Sequence, residues 1–298
     1  MNSAQLSERF VLAAAPGVGA AVSFGISDAV AKVVMESGCS VTTLLLFRSL
    51  ISLAFVAAWL QFRPIARVSR ETRWISIGIG ILFAGLIYLL YKAIETSDVA
   101  TAILSYFAYP LLTGFGAALL GLETIRTRGI LCAFVALFGL AIMIGARPAG
   151  LASVGVAYAI GAAVCRTIIL LVTRRYLFGV DAWAITWYSG IATALAFIAG
   201  ASVTGSLNMP QTAVGWIGLM VVSLGTTAGT FLLFVSVTRI GPFRSALIMQ
   251  LEPLTATILG AVLIGEIITT IQGVGGIVML GALTAFQLGQ RKPLRRVE

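Results

Sequence analysis

Five ionisable side chains lie inside long apolar stretches of this sequence: Asp28, Lys32, Arg48, Arg166 and Glu252. Each needs a reason, because such a group at mid-depth in a bilayer costs at least ~2.5–3.5 kcal/mol on insertion scales. Glu252 precedes Pro253. Proline lacks an N–H and releases the carbonyl four residues back, here that of Met249. A carboxyl at such a bend can receive a solute's ammonium or a proton. It can equally be a structural, hydrogen-bonded acid. Arg166 stands between Cys165 and Thr167. A guanidinium there can take a carboxylate in its two-pronged fork, or pair with Glu252. Asp28 and Lys32 are one helical turn apart, which suits an i,i+4 ion pair; Asp28 lining a cavity is the other reading. Arg48 reads as a tie from its helix to a carboxylate or to a helix C-terminus. Thr101, Ser105 and Tyr109 form one stripe at helical spacing, with Tyr106 on the neighbouring face. Thr226, Thr227 and Thr230 cluster beside Gly225 and Gly229, whose spacing lets backbones approach closely. Two acids face three bases in this set, so full pairing leaves one cation over. A carboxylate-bearing solute would balance it. Phe24, Tyr88, Tyr106 and Tyr109 would enclose that solute's apolar part.

Other chemistries find no residues to carry them. The chain has no histidine, which removes the commonest general base and metal ligand. It has no G-x-S-x-G or H-E-x-x-H pattern, and no G-x-x-x-x-G-K-[ST] loop. Asp28 is the one aspartate well inside an apolar run, so paired-aspartate hydrolysis lacks its second acid. Cys39, Cys132 and Cys165 give no disulfide framework. No cofactor and no metal are expected. The formal charge of +9 does not point to nucleic acid, because the basic residues sit at the ends of apolar runs.

The elements that must position these residues are membrane helices. Apolar residues make up 59% of the chain and charged residues 10%, against about 25% charged in soluble proteins. Ten runs approach the ~20 residues that a bilayer core requires: 11–35, 43–61, 74–94, 98–120, 128–146, 151–173, 182–203, 213–237, 242–264 and 270–289. The first run is longer than the 7–15 residues or so of a signal-peptide core. With the N-terminus inside, the inner connections hold Arg9, Arg63, Arg67, Arg70, Arg73, Arg126, Arg128, Arg174, Arg175, Arg239 and Arg244, and the outer ones only Arg147. This asymmetry places both termini in the cytoplasm.

The runs repeat. Leu89-Leu90-Tyr91 precedes Leu232-Leu233-Phe234 by 143 residues, and the same offset relates Pro110 to Pro253 and Glu123 to Glu266. The halves are residues 8–146 and 149–289, followed by a basic cytoplasmic tail, 290–298. Five spans in each half force opposite orientations. Inverted repeats place a solute site near mid-membrane, between the halves. The fold class is therefore all-α: ten transmembrane helices as two inverted five-helix repeats around a central cavity.

Tyr109-Pro110, Glu252-Pro253 and the Gly265-Glu266 helix end, set in five plus five helices, resemble the EamA branch of the drug/metabolite transporter superfamily. The first half departs from the family pattern, with Gly121-Leu122-Glu123 for Gly-Glu and Phe24-Gly25 for Trp-Gly. The resemblance implies export or exchange of small metabolites across a bacterial inner membrane, with the cavity lined by the first, third, fourth, sixth, eighth and ninth helices. On those helices the candidate solute-binding residues are Phe24, Asp28, Tyr88, Ser105, Tyr109, Arg166, Thr227, Met249 and Glu252. Pro110 and Pro253 are the candidate gating bends. The expected solutes are amino acids, aromatic ones included. A drug-like cation, a nucleotide-type metabolite or a sugar derivative is the alternative, and an intramembrane enzyme the remote one. The expected partners are lipid and the solute, with no nucleic acid and a monomeric chain.

Overall fold

The computed structural model describes residues 3–65, 67–97, 99–145, 154–204, 207–265 and 267–289. Arg147, the first three residues of the run begun at 151, Glu266 and the tail 290–298 lie outside the described residues. Twelve helices and no strand are present among the described residues: α1 (Ser3–Glu36), α2 (Val41–Phe62), α3 (Arg70–Thr96), α4 (Val99–Tyr106), α5 (Tyr109–Leu119), α6 (Thr127–Ile144), α7 (Val154–Tyr176), α8 (Ala182–Thr204), α9 (Ala213–Ile240), α10 (Pro242–Ile248), α11 (Leu251–Ile264) and α12 (Thr270–Gly289). Together they make ten stretches long and apolar enough to cross a membrane. A helix is the solution such segments require, since lipid offers no partner for backbone N–H and C=O groups.

Polar residues at the helix ends set where each begins and stops. Ser40, Ser69 and Thr212 accept the N–H of Thr43, Thr72 and Gly215, capping α2, α3 and α9. Gly145 and Gly265 close α6 and α11 in the left-handed conformation, at φ 67° and 77°.

The expected fourth and ninth helices are each broken in two. Phe107 and Ala108 separate α4 from α5, and Met249 and Gln250 separate α10 from α11. Pro110 and Pro253 therefore stand in the first turn of a new helix, where a missing N–H leaves nothing unpaired. The Met249 carbonyl, expected to be released, is taken instead by the Glu252 N–H at 3.0 Å. The chain tightens by one residue at the break rather than opening there.

The helices pack across the two halves more than within them. α1 lies on α9 and α11; α7 lies on α3 and on α4 and α5; α2 meets α8, and α6 meets α12. Small residues allow these contacts. A Cβ on Gly139 would lie 2.8 Å from the Gly275 carbonyl, and one on Gly275 would lie 2.6 Å from the Gly139 carbonyl. The α6–α12 seam therefore admits only glycine at both points. Dispersion and close backbone approach hold such seams, because apolar burial drives little between helices in lipid.

Candidate functional site

Five helices bring the intramembrane charges together. α1 and α11 touch at Gly25, where a Cβ would lie 2.8 Å from the Glu252 carbonyl and 2.6 Å from the Thr255 Cβ. One turn along α1 from this contact, the Asp28 side chain is near enough to that of Glu252 for the two to act on each other electrostatically. Arg48 of α2 and Arg166 of α7 both act electrostatically on Asp28. Tyr91 of α3 lies in the same field. Asp28 is exposed and Glu252 is half-buried.

Arg166 is 4% exposed. No carboxylate oxygen among the described residues lies within 4.0 Å of its guanidinium, so the alternative of a close pair with Glu252 is not formed. Three rings surround it instead: Phe24 at 5.5 Å, Tyr109 at 5.7 Å and Phe83 at 5.8 Å from Cζ to the ring centre. Each such contact contributes about 0.5–2 kcal/mol, the upper figure in desolvated surroundings. The Nε atom has no hydrogen-bond partner. The Tyr109 hydroxyl and the Tyr106 and Glu252 side chains complete the surroundings of the guanidinium.

The surrounding helices fix this aromatic set. Gly229 of α9 leaves room for Phe24: a Cβ there would lie 3.0 Å from Cδ2 of that ring. Thr167, next to Arg166, meets the Thr113 hydroxyl at 3.2 Å and donates to the Tyr109 carbonyl at 3.4 Å. The Tyr109 hydroxyl donates to the Ala246 carbonyl at 3.4 Å, tying the break in one half to the broken helix of the other. Tyr106 and Tyr109 lie 5.4 Å apart, centre to centre.

The other expected site residues divide. Ser105 is buried beside Tyr106. Thr227 is 3% exposed, and its hydroxyl donates to the Ser223 carbonyl at 2.8 Å within its own helix. Met249 is fully buried. Tyr88 stands apart, 61% exposed and close to Lys92. Tyr91, one turn further along α3, reaches the charges in its place. Pro110 is buried at its break and Pro253 half-buried at the other. Sequence reasoning missed Gln250, which is 1% exposed with neither end of its amide partnered. An amide deep in an apolar run, two residues before Glu252, was the available signal. Phe83 and Tyr91 carried none.

A second polar contact closes one end of the bundle. Glu123, after α5, accepts the Phe243 N–H at 3.0 Å and so caps α10. Its other oxygen lies 3.0 Å from Nε of Arg244, a meeting of opposite charges without hydrogen-bond alignment. Burial pushes the Glu123 carboxyl above its ordinary range, further than Arg244 and the Phe243 N–H pull it down. Away from the charges, a crevice of about 230 Å³ lies between α1, α10, α11 and α12, lined by Val18, Ile248, Leu251, Leu280, Leu283 and Gln287 among others. Its lining is mostly apolar and holds no charged side chain.

Ten helical spans with charges gathered well inside them fit a membrane transporter. The model of the EamA-like transporter family matches the chain twice, over residues 11–145 and 153–286. The chain belongs to that family, and it is a multi-pass membrane transporter rather than an enzyme. The threonine/homoserine exporter RhtA of Escherichia coli is 26% identical over 255 residues, which cover 83% of this chain and 79% of that protein. RhtA of Salmonella typhimurium is 25% identical over 251 residues, with the same coverage. A solved crystal structure superposes on 94% of this chain and 99% of its own, with a TM-score of 0.77 at 18% identity. That likeness shows the fold.

Proposed function

We propose that this chain exports small amino acids by alternating access, the solute sitting among Arg166, Asp28 and Glu252. The observation that carries the reading is the Arg166 guanidinium: buried, held by ring faces, and without a carboxylate at contact distance. A desolvated cation left in this way is a receptor for an anionic group. The acid pair across the cluster suits an ammonium group. A free amino acid carries both groups on one carbon. The names of the RhtA relatives, threonine/homoserine exporters, support small polar amino acids. The ring set around Arg166 also suits aromatic ones.

In this reading residues 8–146 and 149–289 are inverted halves with both termini in the cytoplasm. The packing supports it. α1 on α11 and α7 on α4 and α5 are equivalent contacts under exchange of the halves, as are α1 on α9 and α7 on α3. The breaks near Pro110 and Pro253 are the bend points about which one half rocks against the other. The chain works as a monomer. The experiment is flux through proteoliposomes holding the purified protein, with labelled threonine, homoserine, phenylalanine, a quaternary ammonium compound and a nucleotide sugar. Saturable flux of the amino acids alone is expected. Flux of the cation or the nucleotide sugar without the amino acids would overturn the reading.

A further inference from the structure

We propose that Glu123, Phe243 and Arg244 form a latch that shuts the cytoplasmic end of the transporter, and that the empty carrier rests open to the periplasm because the opposite end has no matching latch. The inference rests on the inverted halves proposed above and not on the identity of the solute.

The latch joins the two halves. Glu123 follows α5 in the first half, and Phe243 and Arg244 stand in the first turn of α10 in the second. One Glu123 oxygen accepts the Phe243 N–H at 3.0 Å, and the other lies 3.0 Å from Arg244 Nε. The Glu123 side chain is 9% exposed and that of Arg244 30%. A pair this buried differs from a surface ion pair. It holds while both partners stay, and removing one strands the other charge away from water. Gly241 makes room for the carboxylate: its φ is 96°, and a Cβ there would lie 2.6 Å from Glu123 Oε2. The Phe243 ring is set into the first half. Cβ atoms on Gly114 of α5 and Gly129 of α6 would lie 2.9 Å and 3.1 Å from it, and the Phe286 ring meets it edge-on at 5.8 Å.

Exchanging the halves shows what the periplasmic end would need to close in the same way. The offset of 143 residues that relates Pro110 to Pro253 also relates Ala100 to Phe243, Thr101 to Arg244, Gly114 to Thr257 and Gly129 to Gln272. The periplasmic end therefore has neither the ring nor the guanidinium, and it carries larger side chains where the two glycines receive the ring. Packing follows the same division. α5 packs on α10, whereas the exchanged pair, α11 and α4, at most touch among the described residues. The broken helices are thus joined at their cytoplasmic ends and parted at their periplasmic ends. Alternating access requires the latch to open once in each turnover, and a contact present in only one of two states biases the carrier toward that state.

The test is electron–electron double resonance between spin labels on the full chain in lipid, with Cys39, Cys132 and Cys165 replaced by alanine. Labels at Val99→Cys and Leu263→Cys report the outer ends of α4 and α11. Labels at Leu120→Cys and Arg239→Cys report the inner ends of α5 and α9. All four positions are exposed. With the latch intact, one long outer distance and one short inner distance are expected. Glu123→Gln keeps an acceptor for the Phe243 N–H and loses the charge; Arg244→Gln removes the other charge. Each should raise the share of a second state by about tenfold, with the outer labels nearer and the inner labels farther apart. That opposite movement separates an opened latch from a loosened fold, which broadens both pairs alike. Broadening without opposite movement overturns the inference. So do unchanged distances in both variants, and so does an intact latch with its inner labels far apart and its outer labels close. A periplasmic reading from a reporter after Arg296 would reject the topology proposed above, and with it the side assigned to the latch.

Discussion

Arg166 rests on ring faces, and this arrangement separates its structural cost from its function. Phe24 owes its position over the guanidinium to Gly229. Gly229→Ala is expected to push that ring off Arg166, at an overpacking cost of about 1–3 kcal/mol. Flux should fall in step with the thermal midpoint. Gln250 behaves differently. A buried amide without partners is itself a penalty of about 1–3 kcal/mol. Gln250→Leu should therefore leave the midpoint unchanged or raise it, and should lower flux if the amide meets the solute. A fall in stability would show that the amide has a structural partner. The charged members of the site were legible in the sequence because a charge in an apolar run stands out. The rings were not. Tyr88 and Tyr91 are three positions apart on α3, so they point about 60° apart around the helix. Hydropathy says nothing of how a uniformly apolar helix is rotated.

Ten spans and the two prolines were readable along the chain. The breaks were expected as bends in continuous helices. The difference arises because each proline starts a new first turn, a choice that depends on packing against the other half. If the breaks are hinges, Pro110→Ala and Pro253→Ala should lower the transport rate while protein accumulates normally; lost accumulation with normal specific activity would make them folding elements. Glu123 supports a prediction with a definite sign. Its carboxyl is raised by burial, so the folded state holds its proton more tightly than the unfolded chain does. Stability from this group is full at low pH and is lost as pH rises from the ordinary carboxylate range through the raised value. Glu123→Gln keeps an oxygen for the Phe243 N–H and has no proton to lose. It should flatten that part of the pH–stability curve without lowering the midpoint at neutral pH. Glu123→Ala, which uncaps α10, should lower the midpoint throughout.

At the scale of the whole molecule, two inverted halves are proposed to enclose a site for a solute with both charges. The basic residues predict its topology: reporters fused after Arg70 and Arg296 should read cytoplasmic, and one after Asn208 periplasmic. The inversion is what an odd number of spans per half would force. The partners across the halves were not legible, since glycine-permitted seams such as Gly139 against Gly275 need the three-dimensional register. The central claim is that Arg166 receives the solute's carboxylate. Charge-assisted hydrogen bonds contribute about 1.5–3 kcal/mol, and lysine keeps the charge but not the fork. The most direct measurement is competition by an amino acid and by its amide in proteoliposomes carrying native protein or Arg166→Lys. The account predicts about tenfold or greater weakening for the acid and almost none for the amide. Equal losses for both would contradict it and leave Arg166 a structural residue.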